Sequence, residues 1–267
     1  MTETTVTRGD ITIHSRVDGA QDADAPTVVF ANSLGTTLHL WDPVMDLLPK
    51  DIRYIRWDKR GHGKSSVPDA PYTMGQLVGD AEAVCDAHGV RDCVLVGLSV
   101  GGMIAQGLAV KRRDIVRAMV LSNTGAKIGT PAIWNDRIAS VRSHGMAALA
   151  DGVMQRWFGE DFYQTPAMEP WEKMLIDTPA EGYMGVCAAI SGTDFFTPTS
   201  GLRLPTLGIA GSDDKATPPD MVRETVDLIP GSDFRLIRRA GHLPCVEKPE
   251  EYAGILTDFL TRTGTVA

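Results

Sequence analysis

The 267-residue chain reads as an α/β fold: a mostly parallel sheet flanked by helices, with an inserted helical cap. Three observations predict this. Short, continuous apolar runs alternate with amphipathic helical stretches, as strands covered on both faces require. That rhythm breaks from about residue 125 to 200, where helical patterns stand without a buried strand. It then resumes to the C-terminus. The predicted division is a core of residues 1–124 and 201–267 and a cap of residues 125–200.

Ile11 to Val17 alternates apolar and polar residues, as a half-buried strand would. Asp18 to Pro26 is a small, polar turn region. Thr27 to Ala31 (TVVFA) predicts a buried strand. Trp41 to Leu48 predicts a short helix, with Leu40, Val44 and Leu47 on one side. Ile52 to Trp57 predicts a strand that runs into the Gly-rich loop DKRGHGKSS. Thr73 to His88 carries an apolar stripe (Leu77, Ala81, Val84, Cys85), with Thr73 as cap and Gly89 as stop. Cys93 to Leu98 is a buried strand, Gly101 to Val110 a helix packed on the sheet, and Ala118 to Ser122 the next strand.

The cap carries helical patterns at Ile133 to Arg142, Met146 to Phe158, Pro170 to Ile176 and Gly182 to Ser191. Its aromatics (Trp134, Trp157, Trp171 and Tyr183 among them) suit a pocket lining. The sheet rhythm returns with Leu204 to Gly211. A helix at Pro219 to Leu228, a strand at Phe234 to Ile237 and a helix at Pro249 to Leu260 follow.

Composition narrows the partners. The formal net charge of −8 argues against nucleic acid or an anionic membrane. It leaves room for a small anion, because local cations outweigh a distant excess of acid. The N-terminus lacks a signal-peptide pattern, and no apolar run approaches the roughly 18 residues of a spanning helix. The four cysteines (Cys85, Cys93, Cys187, Cys245) show no metal-ligand spacing. They are expected to be free, buried thiols in a cytoplasmic protein.

The chemical signal is Gly97-Leu98-Ser99-Val100-Gly101, set between a buried strand and a helix. In that context G-x-S-x-G marks a nucleophile held up at a strained turn. The glycines leave room for the backbone to double back. A serine hydroxyl needs a base to take its proton. In such sheets acid and base follow the serine along the chain, in that order. Only His144 and His242 follow Ser99. His144 lies in the cap, whereas His242 sits just past the last predicted strand and is the predicted base. His14, His88 and His144 read as packing or surface residues.

The acid is expected in Gly211-Ser212-Asp213-Asp214-Lys215-Ala216-Thr217-Pro218. The spacing G-x-x-D-x-x-T-P selects Asp214 and leaves Asp213 as a turn residue. The preceding strand ends in Ser122-Asn123-Thr124, with no carboxylate. An oxyanion needs two amide donors. The expected pair is the N–H of Val100 and that of Leu34, in the loop after TVVFA. The loop Asp58 to Ser65 is predicted to be structural, tied by Asp58, Arg60 and Ser65.

The elbow GLSVGG, the loop DKRGHGKSS, the acid loop GSDDKATPP and the base loop AGHLPCVEKPEE together resemble the α/β-hydrolase superfamily. FANSLGTTLHLWDP, RWDKRGHGKSS, GLSVGGMIAQGLA and SNTGAKIGTPAIWNDRIASVRSHGM are similar to the 3-oxoadipate enol-lactonases. That resemblance implies the α/β-hydrolase fold. It also implies hydrolysis of 3-oxoadipate enol-lactone to 3-oxoadipate, a step in bacterial aromatic degradation, without metal or organic cofactor. An anionic lactone needs a cation for its carboxylate. Arg137, near Trp134 on the first cap helix, is the expected partner, with Lys127 the alternative. The same fold and triad also serve carboxylesterases, carbon–carbon bond hydrolases and cofactor-free perhydrolases. A ligand-binding protein that has kept the fold is the alternative of a different class.

Overall fold

The computed structural model describes residues 1–266. Its eight-stranded sheet comprises β1 (Thr2–Arg8), β2 (Ile11–Gly19), β3 (Thr27–Ala31), β4 (Arg53–Trp57), β5 (Cys93–Leu98), β6 (Val116–Ser122), β7 (Thr206–Gly211) and β8 (Asp233–Ile237). The spatial order is β1-β2-β4-β3-β5-β6-β7-β8. β2 pairs antiparallel with β1 and β4, and every other pairing is parallel. All residues of β3, β5 and β7 are buried, which is why these strands read as unbroken apolar runs.

The helices are α1 (Asp42–Met45), α2 (Met74–Ala87), α3 (Val100–Lys111), α4 (Pro131–His144), α5 (Ala150–Trp157), α6 (Glu169–Ile176), α7 (Ala180–Ser191), α8 (Phe196–Ser200), α9 (Pro219–Asp227), α10 (Pro244–Glu247) and α11 (Pro249–Arg262). α3 packs on β3, β5 and β6 and against α2, while α11 packs on α1. α2 begins at a full capping box, in which Thr73 and Gln76 satisfy each other's backbone amides. Between β6 and β7 the chain passes through α4 to α8 without a strand. Among the described residues no helix is long and apolar enough to cross a membrane. All four cysteines are buried and free.

Three elements differ from the sequence reading. The helix predicted over Trp41 to Leu48 is a 3-10 turn (Leu38–Trp41) followed by the single turn of α1. Leu40 and Val44 are buried, but Leu47 is 45% exposed, so the three do not share one apolar side. Asp42 explains the early break. Its carboxylate bonds His39 at 2.7 Å and Arg56 at 2.6 Å, tying the turn sideways to β4. β1 was not legible by alternation because its residues are mostly exposed on both faces. α10 lies where the sequence predicted loop.

The register gathers the strand ends. Ala31 pairs with Gly97, Leu98 with Ser122, Ser122 with Ile209 and Gly211 with Ile237. The loops after β3, β5, β6, β7 and β8 therefore leave the sheet along one edge. Strand order reverses beside β3, and such a reversal opens a crevice at the carboxyl ends.

Candidate active site

β5 ends at Leu98 and α3 starts at Val100, so Ser99 alone makes the turn. Its φ of 59° and ψ of −122° are costly for a residue with a Cβ. A Cβ at Gly97 would lie 2.3 Å from the Gly101 oxygen, and one at Gly101 would lie 2.0 Å from the Ala31 oxygen. Glycine at both sites lets α3 press onto β3 and β5. The Ser99 N–H donates to the Ser122 oxygen at 3.0 Å, and the Thr124 hydroxyl donates to the Ser99 oxygen at 2.6 Å. The strained turn is thus held from both sides.

Asp214 follows β7, and His242 follows β8. Asp214 Oδ2 and His242 Nδ1 are 2.9 Å apart, with both residues buried. The carboxylate is filled with donors. Oδ1 accepts from the Ala216 and Thr217 amides at 2.7 and 3.0 Å. Oδ2 accepts from the Thr217 hydroxyl and from Asn123 Nδ2, both at 2.8 Å. Burial opposes the charge, yet His242 and these hydrogen bonds hold the Asp214 carboxyl below its ordinary value. A carboxylate on Nδ1 fixes the proton there and leaves Nε2 as the basic nitrogen. Asp213 stays in the turn, its amide bonded to the Ala240 oxygen at 2.9 Å and its carboxylate to Ser212.

The loop carrying His242 is tied to the end of α5. The His242 amide donates to the Trp157 oxygen at 2.7 Å. The Glu247 carboxylate accepts from the Gly241 amide at 2.7 Å and from the Gly159 amide at 2.9 Å. Burial pushes the Glu247 carboxyl up to about 7 despite those donors.

Ser99 and His242 line one cavity of about 220 Å³, together with Leu34, Trp134, Arg137 and Arg156. Ser99 Oγ has no hydrogen bond to His242 Nε2 among the described residues. Catalytic contacts of this kind often tighten only with substrate bound. The N–H groups of Val100 and Leu34 also have no partner among the described residues. Two amides are therefore free beside the serine, as an oxyanion would require.

The cavity is cationic. Among the described residues no Asp or Glu lines it, whereas Arg137, Arg156 and Lys215 do. Arg137, from α4, lies 5.4 Å from the centroid of the Trp134 ring and 3.4 Å from the Tyr183 hydroxyl. Arg156, from α5, has no ion-pair partner among the described residues. Burial, and then the neighbouring Arg137 charge, lowers its pKa. Arg156 was absent from the sequence reading, since nothing local shows that this last-turn residue of α5 faces inward. Lys127 requires a correction. It does not line the cavity; Nζ pairs with Asp194 at 3.1 Å on the surface. No cluster of three or more His, Cys, Asp or Glu among the described residues could hold a metal ion.

The loop after β4 is cross-tied. The Ser65 hydroxyl donates to the Asp58 oxygen at 2.6 Å, and Asp58 accepts from the Leu38 and Lys64 amides at 2.7 and 3.0 Å. Arg60 pairs with Asp80 in the middle of α2, Nη2 to Oδ1 being 2.7 Å. Buried His62 accepts from the Gly35 amide at 3.0 Å, and buried Lys59 donates to the Ser33 oxygen at 2.6 Å. This loop thus supports the one that carries Leu34.

A family model described as the alpha/beta hydrolase fold matches residues 26–249. The chain is 32% identical to 3-oxoadipate enol-lactonase 1 of Acinetobacter baylyi, over 93% of each chain. It superposes on the crystal structure of the enol-lactonase from Burkholderia xenovorans LB400 with a TM-score of 0.92 and 35% identity, covering 97% of this chain and 100% of that one. A thermophilic esterase from Thermogutta terrifontis follows at a TM-score of 0.90 and 26% identity, covering 98% and 99%. Sheet order, elbow and near full-length likeness agree, and the chain belongs to the α/β-hydrolase family as a hydrolase.

Proposed function

We propose that this protein opens a carboxylate-bearing enol-lactone, 3-oxoadipate enol-lactone, to 3-oxoadipate. The observation that carries this reading is the pair Arg137 and Arg156, lining the cavity of Ser99 and His242 with no Asp or Glu among the described residues in that lining. The enol-lactonases among its relatives support the same choice. Helices of residues 125–200 would act as the cap that supplies the two arginines.

In this mechanism Ser99 Oγ attacks the lactone carbonyl while His242 Nε2 takes its proton. Asp214 keeps the imidazole in the right tautomer and stabilises its cationic form. The Val100 and Leu34 amides hold the oxyanion. The ring C–O bond then breaks as the His242 imidazolium returns its proton to the leaving oxygen, giving an acyl-enzyme and an enol that rearranges to the ketone. His242 next activates water, which releases the free acid and restores Ser99.

The test follows the ultraviolet absorbance of the enol-lactone with wild type and Ser99→Ala side by side. Wild type is expected to consume the lactone, and the variant to lose about 10⁴-fold or more in kcat. Turnover of p-nitrophenyl acetate without turnover of the lactone would favour a carboxylesterase instead. Failure of Ser99 to react with a fluorophosphonate probe would favour a binding protein.

A further inference from the structure

We propose that Lys59 is a positioning residue for the oxyanion, acting through the Ser33–Leu34 peptide to aim and strengthen the Leu34 N–H. This deepens the hydrolase reading and rests on it. Lys59 Nζ donates to the Ser33 oxygen at 2.6 Å and to the Thr36 oxygen at 2.9 Å. The Thr36 hydroxyl donates to the same Ser33 oxygen at 2.8 Å. The Ser33 carbonyl and the Leu34 N–H belong to one planar peptide and point in opposite directions. With the Thr36 amide at 3.3 Å, three donors meet on the carbonyl, Lys59 making the shortest contact, and they fix where the N–H points. They also polarise the amide, which makes its hydrogen a stronger donor.

The neighbouring groups hold the rest of the loop in place. The next amide, Gly35 N–H, is taken by His62 at 3.0 Å, and Asn32 Nδ2 holds the Thr36 oxygen at 2.9 Å. The Leu34 N–H, like that of Ser33, has no partner among the described residues, and both residues line the cavity of Ser99. Lys59 is 2% exposed, and burial pushes its amine down to about 7 although Asp58 opposes this. Filling the space would need only an apolar side chain of similar volume, without that desolvation cost. Holding two carbonyls needs a donor, and the amine donates in either protonation state.

The test compares wild type, Lys59→Met and Lys59→Gln in the full-length protein. It measures kcat and KM on p-nitrophenyl acetate, the rate of fluorophosphonate labelling, and the Leu34 amide resonance by NMR. Lys59→Met is expected to lower kcat and the labelling rate about 10- to 100-fold, somewhat less than complete loss of an oxyanion donor. KM is expected to stay within about twofold, and the Leu34 amide proton to move upfield. Lys59→Gln, which keeps a donor, is expected to recover part of the loss. A folded Lys59→Met with wild-type kcat overturns the proposal. So does a variant in which kcat and KM change together while the Leu34 resonance stays in place. If Lys59→Met does not fold, Lys59→Gln decides: kcat lowered at constant KM supports the role, and unchanged kcat overturns it. Wild type that neither turns over ester nor takes the probe overturns the hydrolase reading, and the role with it. Active wild type with unaffected variants overturns the Lys59 role alone.

Discussion

Arg137 and Arg156 show how much of a site one residue type can determine. A guanidinium cannot shed its proton at working pH, so both remain cationic with no acid facing them. Replacing Arg156 by Met removes one charge-assisted hydrogen-bonding group, worth about 1.5–3 kcal/mol, or roughly 10- to 100-fold in affinity. For the anionic lactone the expected result is a raised KM with kcat little changed. For neutral p-nitrophenyl acetate KM should stay put. Equal effects on both substrates would remove the carboxylate role. Arg137→Met should behave alike, with an added loss of packing on Trp134. That Ser99, Asp214 and His242 come together was legible because turn chemistry and chain order constrain their placement strongly. Arg156 was not, because only the packing of α5 turns it inward. Asn123 was noted merely as lacking a carboxylate, yet it donates to Asp214 at 2.8 Å. Only the juxtaposition of the loops after β6 and β7 makes that contact visible.

At the scale of elements, the buried strands and long helices announced themselves through apolar runs and periodicity, while short pieces did not. α1 and α10 are four residues each, too short for a 3.6-residue period to show. β1 (TETTVTR) carries strand-favouring Thr and Val but no buried face, so only propensity could have signalled it. α10 matters more than its length suggests, because it ends in Glu247. That carboxylate joins the His242 loop to the segment after α5. Glu247→Ala would leave two amides without their acceptor, at about 1–3 kcal/mol each. For a chain of this size the Tm is expected to drop by roughly 5–15 °C. The pH dependence has a definite sign. Burial sets the folded Glu247 pKa near 7, above its ordinary value of 4.5. The folded state therefore holds this proton more tightly, and the resulting contribution is lost as pH rises through 7. The Tm of wild type should fall more between pH 5 and 8 than that of Glu247→Ala. Parallel melting curves would disprove the linkage.

At the scale of the whole molecule, the aligned strand ends bring to one edge five loops far apart in sequence. The helices between β6 and β7 then bear on that edge by close backbone contact. Gly61, in the loop after β4, meets Gly182 of α7 so closely that a Cβ on Gly182 would lie 2.0 Å from the Gly61 oxygen. The break in strand rhythm made the helical stretch legible. Where it would touch the sheet was not, because a glycine pair leaves no mark in hydropathy. The two arginines on α4 and α5 have a consequence for the molecule as a unit. Like charges crowded into a half-closed space repel, and the native state bears that tension whenever the space holds only water. A fitting anion relieves it, so occupancy should be visible as heat resistance. At a hundredfold excess over its Kd, such an anion adds about 2.7 kcal/mol. Adipate should accordingly raise the Tm by roughly 5–10 °C in wild type and far less in Arg156→Met. An equal rise with sodium chloride at matched ionic strength would show that general screening, rather than a seat for a carboxylate, is at work.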